Sequence, residues 1–147
     1  MCKVFVRKLP HAADLPLPAY MTAEAAGMDL LAANLEPLIV LAGTRVLVPT
    51  GLQLGIPNGY EAQVRPRSGL ALKYGIGILN SPGTIDADYR GEIKIIVVNL
   101  GKEPYVISHG DRIAQLVLAK VVKATLMESS DLANSERGEL GFGHTGV

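Results

Sequence analysis

The segment Gly83-Thr84-Ile85-Asp86-Ala87-Asp88-Tyr89-Arg90-Gly91 sets two carboxylates in a run bounded by glycines. Glycine tolerates backbone conformations that other residues avoid, so the chain can bend here. One carboxylate can then face a pocket while the other makes a turn or pairs with Arg90. An unperturbed aspartate has a pKa of about 3.9, so it is ionised at neutral pH but a weak base. Taken alone, the segment reads as an Asx-type turn with surface charges before it reads as a catalytic loop.

Arg67-Ser68-Gly69 is the second chemical feature, because it opens a stretch that favours helix. A helix start offers free N–H groups and partial positive charge, where phosphates bind. Arg67 adds a forked donor suited to phosphate, and Gly69 lets a ligand approach the backbone. The plainer reading is an ordinary capped helix with Ser68 as the cap. No GK[ST] follows a glycine run, so this is not a Walker A loop. Asp29, Arg112 and Gln115 stand in otherwise apolar surroundings. Buried polar groups need partners. They form either a structural Asp–Arg pair or a support that aims a phosphate-binding group. His11, His109 and His144 show no metal spacing and read as surface or turn residues. Cys2 is the only cysteine, which excludes an intrachain disulfide and a thiolate zinc cluster.

These residues need a scaffold, and the composition points to an all-β one. The chain's 147 residues fit one domain with a core, and 48% hydrophobic content is too high for a disordered chain. With no Trp and only 2 Phe, that core must be aliphatic. Sixteen Gly and nine Pro punctuate short apolar runs. Strands are predicted at Val4–Val6, Met28–Ala33, in two runs within Pro37–Val48, at Gly51–Pro57 and Tyr60–Val64. Others fall at Gly77–Leu79, Glu92–Val98, Tyr105–Ile107, Ile113–Ala119 and Val121–Val122. His11–Ala19 is irregular, and Pro57-Asn58-Gly59 is a turn. One short helix is predicted over Ser68–Tyr74. Glu92–Val98 is apolar on nearly both faces, as for a central strand of a sandwich or a strand buried by another subunit. The pattern fits a jelly-roll β-sandwich, with a distorted barrel as the competing shape.

Fourteen Lys and Arg balance fourteen Asp and Glu, which does not support a broad basic surface for nucleic acid. The N-terminus is too short in its apolar part for a signal peptide, and no run is long enough for a membrane helix. A cytoplasmic protein with no membrane partner is the expectation. The expected organisation is a β domain over residues 1–133 and a flexible glycine-rich arm over 134–147. Arg137 to Val147 holds Gly138, Gly141, Gly143 and Gly146, with few apolar anchors. It reads as a frayed terminus or as a lid, with Arg137 for a phosphate and Phe142 for a base.

Together these pieces resemble the homotrimeric dUTP pyrophosphatases, or dUTPases. The motifs are Ala26-Gly27-Met28-Asp29-Leu30, then Pro66-Arg67-Ser68-Gly69-Leu70 continuing to Lys73-Tyr74-Gly75, then Gly83 to Gly91. Arg112-Ile113-Ala114-Gln115 and Arg137-Gly138 with Gly141-Phe142-Gly143-His144-Thr145-Gly146 complete the set. Each is weak alone, but their shared order makes accident very improbable. Tyr74 stands where the family commonly has His.

The resemblance implies a β jelly roll that hydrolyses dUTP to dUMP and pyrophosphate, limiting uracil in DNA. A homotrimer would share active sites at its interfaces, each closed by a neighbour's C-terminal arm. Asp86 would activate the attacking water. Arg67, Ser68, Gly69 and Gln115 would hold the phosphates, with Arg137 reaching the γ-phosphate. Asn80 and main-chain groups of Thr84, Ile85 and Lys94 would read the uracil, lodged in a β-hairpin between Gly75 and Asp86. Tyr89 would pack on the deoxyribose and Phe142 on the base, with Gly143, His144 and Thr145 beside it in the arm. Arg112 and Asp29 would support the phosphate site. The cofactor would be Mg²⁺ on the phosphates, without direct protein ligands and with Asp29 near its water shell. Two competing readings are a dCTP deaminase on the same fold, which needs a different acid–base arrangement, and a non-catalytic nucleotide-binding module, which should lack the carboxylate or the arm.

Overall fold

A computed structural model describes residues 2–140, so Phe142, Gly143, His144 and Thr145 lie outside the described residues. The strands are β1 (Phe5–Lys8), β2 (Gly27–Leu31), β3 (Leu38–Val40), β4 (Arg45–Pro49), β5 (Leu52–Gly55) and β6 (Tyr60–Arg65). After the helix α1 (Ser68–Tyr74) come β7 (Ile76–Ile78), β8 (Gly83–Ile85), β9 (Lys94–Asn99), β10 (Tyr105–Ile107) and β11 (Arg112–Lys120). A 3-10 turn over Pro10–Ala12 overlaps the start of the segment expected to be irregular, His11–Ala19. Residues 121 and 122, expected to form a strand, lie outside the ladders; Val121 N donates to Gly59 O at 2.9 Å and Val122 is exposed.

The strands form a β jelly roll. A four-stranded sheet runs β2-β11-β6-β8 and a three-stranded sheet runs β4-β9-β7, with β1-β5 and β10-β3 as two-stranded pieces. Alternation builds the core: Leu52 and Leu54 on β5, Ala62 and Val64 on β6, and Ile95 and Val97 on β9 all point inward. They join Leu30, Val40, Val48, Ile107 and Leu116 in one aliphatic cluster. Burying each such Leu, Ile or Val stabilises the fold by about 1.5–3 kcal/mol. β9 lies centrally between β4 and β7, which accounts for its apolar character within one chain, while Ile96 stays only half-buried.

Two local features position the polar residues. Helix α1 ends at Gly75, whose left-handed backbone (φ 70°) lets its N–H reach Ala71 O. A Cβ on Gly75 would lie 2.5 Å from Gly101 N, so two chain segments meet there. The start of α1 differs from expectation: Arg67, with extended backbone, is the residue before the first turn, and no side chain caps it. Ser68 is the first helical residue rather than the cap. The second feature is a register shift in β11 between Arg112 and Ala114. It buries two successive residues, Ile113 and Ala114, and changes the phase of the strand. Arg112 and Gln115, three apart in sequence, can therefore both project from the outer side.

Candidate active site

The four-stranded sheet gathers one group of polar residues. Gln115 on β11 pairs with Asp29 on β2 and with Arg65 on β6, so the three share a row on the sheet's outer face. Asp29 Oδ1 lies 3.4 Å from Arg67 Nε, and its Oδ2 lies 3.5 Å from Arg112 Nη1. Arg67 Nη1 also donates to the Arg112 carbonyl at 2.9 Å. Asp29 is largely shielded from solvent, with a side chain 12% exposed, whereas those of Arg67 and Arg112 are 30% and 52% exposed. The carboxylate thus holds two guanidinium groups that still face water, which suits an anion site more than a closed structural pair. Arg67 and Arg112 line a cleft of about 450 Å³ with Leu70, Tyr105, Gly110 and Asp111. Ser68 and Gly69 lie exposed at the start of α1, and the Cβ direction of Gly69 meets nothing within 4 Å.

Tyr105 was not anticipated at this cleft. Its ring centre lies 5.1 Å from that of Tyr74 on α1, tilted at 51°. Burial pushes the Tyr105 phenol above its ordinary value, helped by the negative charge of Asp111.

A second cleft of about 390 Å³ lies where β8 faces the start of β9. Asn80, Thr84, Ile85, Asp86, Tyr89, Glu92, Ile93 and Lys94 line it. β8 is an edge strand with a ladder partner on one side only, β6. Lys94 has only Pro49 of β4 opposite it, because the β7 ladder covers Val97 to Asn99. Main-chain groups of both strands are therefore left for a ligand, and a planar amide edge is the kind of group they can read. Asp86 sits at the end of β8, exposed, and its carboxylate has no hydrogen-bond or ion-pair partner among the described residues. Its carbonyl accepts from Tyr89 N at 3.2 Å, making the turn that swings Tyr89 to the cleft wall.

Several expectations change here. The segment between Gly75 and Asp86 is not a hairpin. β7 pairs with β9 and β8 pairs with β6, so the connection crosses from one sheet to the other. The reason is alternation of burial: Ile76 and Ile78 complete the β9 side of the core, while Gly83 packs close to Val64 on β6. Arg90 does not pair with Asp88; its Nη1 donates to the carbonyls of Ala87 and Tyr89. His11 and His109 lie in turns, as the sequence suggests, and each also makes a cross-link. His11 Nε2 lies 2.7 Å from Glu92 Oε1, and His109 Nε2 lies 2.9 Å from Asp14 Oδ2. That bond holds the Asp14 carboxyl below its ordinary value. Glu92 itself stood one residue past the motif that drew attention, and no local pattern marked it.

Asp29, Arg67, Arg112 and Gln115 are brought together, and so are Asn80, Thr84, Ile85, Asp86, Tyr89 and Lys94. The two clefts share no lining residue. Arg137 is in neither: its Nε donates to Leu140 O in an exposed turn. Among the described residues, no three His, Cys, Asp or Glu side chains cluster to hold a metal, and no helix is long and apolar enough to cross a membrane.

Fold and site together define a class: a β jelly roll with one cleft lined by two arginines and a separate polar cleft edged by a carboxylate that has no partner among the described residues. The family profile described as dUTPase matches residues 13–146. The deoxyuridine 5'-triphosphate nucleotidohydrolase of Thermoanaerobacter sp. (strain X514) is 56% identical over 142 residues, covering 97% of this chain and 96% of the relative. That of Caldanaerobacter subterraneus subsp. tengcongensis is 55% identical over the same length. Among solved structures, the Staphylococcus bacteriophage 80alpha dUTPase with dUPNHPP superposes with a TM-score of 0.89 at 26% identity, covering 99% of both chains. This chain belongs to the dUTPase family.

Proposed function

We propose that this chain hydrolyses dUTP to dUMP and pyrophosphate, which limits uracil in DNA and supplies dUMP for thymidylate synthesis. The observation that carries the reading is the Asp86 carboxylate, without a partner among the described residues, at the edge of a cleft whose walls present free main-chain groups. Deoxyuridine enters between β8 and β9. Asn80 and the main chain of Thr84, Ile85 and Lys94 meet the uracil edge, and Tyr89 packs on the sugar. Asp86 orients a water for in-line attack on the α-phosphorus and takes its proton. A new P–O bond forms, the bond from the α-phosphorus to the bridging oxygen breaks, and pyrophosphate leaves.

The triphosphate needs charge stabilisation. Arg67, the backbone at Ser68 and Gly69, and Gln115 supply it, with Arg112 and Asp29 fixing Arg67. Because the two clefts share no residue, a site that uses both is best built between subunits, and a homotrimer does this. Residues 134–147 then act as an arm beyond the domain of residues 1–133. Arg137 brings charge to the γ-phosphate, Phe142 covers the base, and Gly143, His144 and Thr145 lie beside them.

Magnesium fits this donor set as a passenger of the phosphates. Both Asp29 oxygens face guanidinium groups, so neither is free to take a bare dication directly. Asp29 would lie near the water shell of the ion. When bound, Mg²⁺ neutralises phosphate charge. The partner is the small-molecule substrate, with no nucleic acid or membrane, and the protein works in the cytoplasm.

The test is pyrophosphate release from dUTP, dTTP, dCTP and UTP side by side, with and without Mg²⁺, for the wild type and for Asp86→Asn. Release from dUTP alone is expected, with the variant inactive yet still binding a non-hydrolysable dUTP analogue. Unchanged turnover in Asp86→Asn would sink the mechanism, and ammonia from dCTP would sink the activity.

A further inference from the structure

We propose that Gly91 and Glu92 are positioning residues for Tyr89, and that through it they set the discrimination between deoxyribo- and ribonucleotides. This rests on the reading above that Tyr89 packs on the sugar.

The Tyr89 ring is folded back across Gly91. A Cβ built on Gly91 would lie 2.3 Å from the phenol oxygen, 2.5 Å from Cζ and 2.9 Å from Cε2. No side chain fits there while the ring keeps its place. Gly91 does not have the left-handed backbone of Gly51 or Gly75, so the requirement is space and not conformation. The phenol then donates to the Glu92 carbonyl at 3.0 Å. Tyr89 is 45% exposed, and an untethered ring with that much freedom would swing.

The anchor is itself fixed. Glu92 Oε1 accepts from Gly51 N at 2.9 Å and lies 2.7 Å from His11 Nε2. Lys94 Nζ lies 3.6 Å from Oε2, and the Glu92 side chain is only 14% exposed. The groups facing this carboxylate therefore come from three separate segments: the turn holding His11, the loop at Gly51 and the start of β9. The turn and the loop also touch, since a Cβ on Gly51 would fall 2.2 Å from the Ala12 Cβ. Tyr89 is thus held by a wall braced from behind. Steric rejection of one extra hydroxyl needs such a wall, because positional slack of more than about 0.5 Å lets the oxygen in.

The experiment measures kcat/KM for dUTP and UTP and reads their ratio in the full-length protein. Glu92→Ala and Gly91→Ala should each lower the dUTP preference by about tenfold, the order of a lost steric check in a pocket. Glu92→Gln keeps the oxygen that receives Gly51 N and should restore the ratio to within about twofold of wild type. Tyr89→Phe, which keeps the ring and removes the tether, should fall between. A loss of folding alone lowers both substrates together and leaves the ratio unchanged, and that result would overturn the proposal. Should Gly91→Ala fail to fold, the Glu92 pair decides. Tyr89→Ala separates the two layers. If it relaxes the preference while Glu92→Ala does not, the proposal fails alone. If it too leaves the ratio unchanged, the sugar contact fails with it.

Discussion

Asp29 on β2 lies directly opposite Gln115 on β11, and from that position its two oxygens face Arg67 and Arg112. The expected support for the phosphate site is thus one carboxylate held between two guanidinium groups. Asp29→Asn should cost only about 1 kcal/mol of stability, because both arginines are partly exposed and screened. Its effect on dUTP should be larger, a KM raised by about tenfold, because Arg67 loses its orientation. Urea melts and steady-state kinetics measure the two effects separately, and a large stability loss with an unchanged KM would make the cluster purely structural.

The separation of the two clefts predicts complementation in mixed assemblies. Asp86→Asn keeps an intact Arg67 cleft, and Arg67→Ala keeps an intact Asp86 cleft. Each variant alone should be nearly inactive. Unfolded together and refolded, they should regain a fraction of wild-type pyrophosphate release. A mixture as inactive as its components would mean that each chain holds a complete site.

Removal of residues 137–147 should leave the assembly state unchanged by light scattering. Turnover should fall by about 100-fold, comparable to losing an electrostatic donor from a transition state. Normal hydrolysis by the truncated protein would rule out closure by the arm.

Tyr105 gives an alkaline signature. Its folded pKa lies above the ordinary 10.0 because burial disfavours the phenolate. The stabilising contribution is therefore fully present below pH 10 and is lost as pH rises through the higher folded value. Denaturant melts should show stability declining in that window, and Tyr105→Phe should flatten the decline. An identical alkaline limb in the variant would assign it to another group.

Asn99 is fully buried and serves three backbone groups. Its Nδ2 donates to Val40 O and Glu103 O, both at 2.8 Å, and its Oδ1 accepts from Gly101 N at 2.9 Å. Asn99→Ala should destabilise the protein by about 3 kcal/mol, as expected when buried donors and acceptors lose their partners. Thermal unfolding checks this, and a shift of less than about 2 °C would contradict it.

Most of the strands were legible in the sequence as short apolar runs between turn residues, some of them alternating, and the helix through its propensities, whereas β8 was not anticipated as a strand. Leu52 and Leu54 point inward with period two, and Ser68–Tyr74 forms the helix as expected. What stayed hidden depends on contacts distant in sequence. Ser68 fails as a cap because Arg67 takes the extended position before the helix. The apparent hairpin around Asn80 dissolves because β7 and β8 find partners in different sheets. Glu92 becomes an anchor only when His11, 81 positions earlier, folds against it. The motif singled out Asp86 as a candidate, and the structure adds the edge strand that leaves main-chain groups beside it free.

The passage of residues 79–82 from one sheet to the other has a consequence for how this protein can vary. The wall carrying Thr84 and Ile85 belongs to one sheet, and the wall carrying Lys94 belongs to the other. The width of the slot between them is therefore the spacing of the sheets, which the aliphatic interior maintains. If the slot holds the base as proposed, a larger or smaller side chain at Ile78 or Ile95, both buried in that interior and in the lining of neither cleft, would be felt as a change in which nucleobases it accepts. Drift in the interior and drift in fidelity are in this fold the same event.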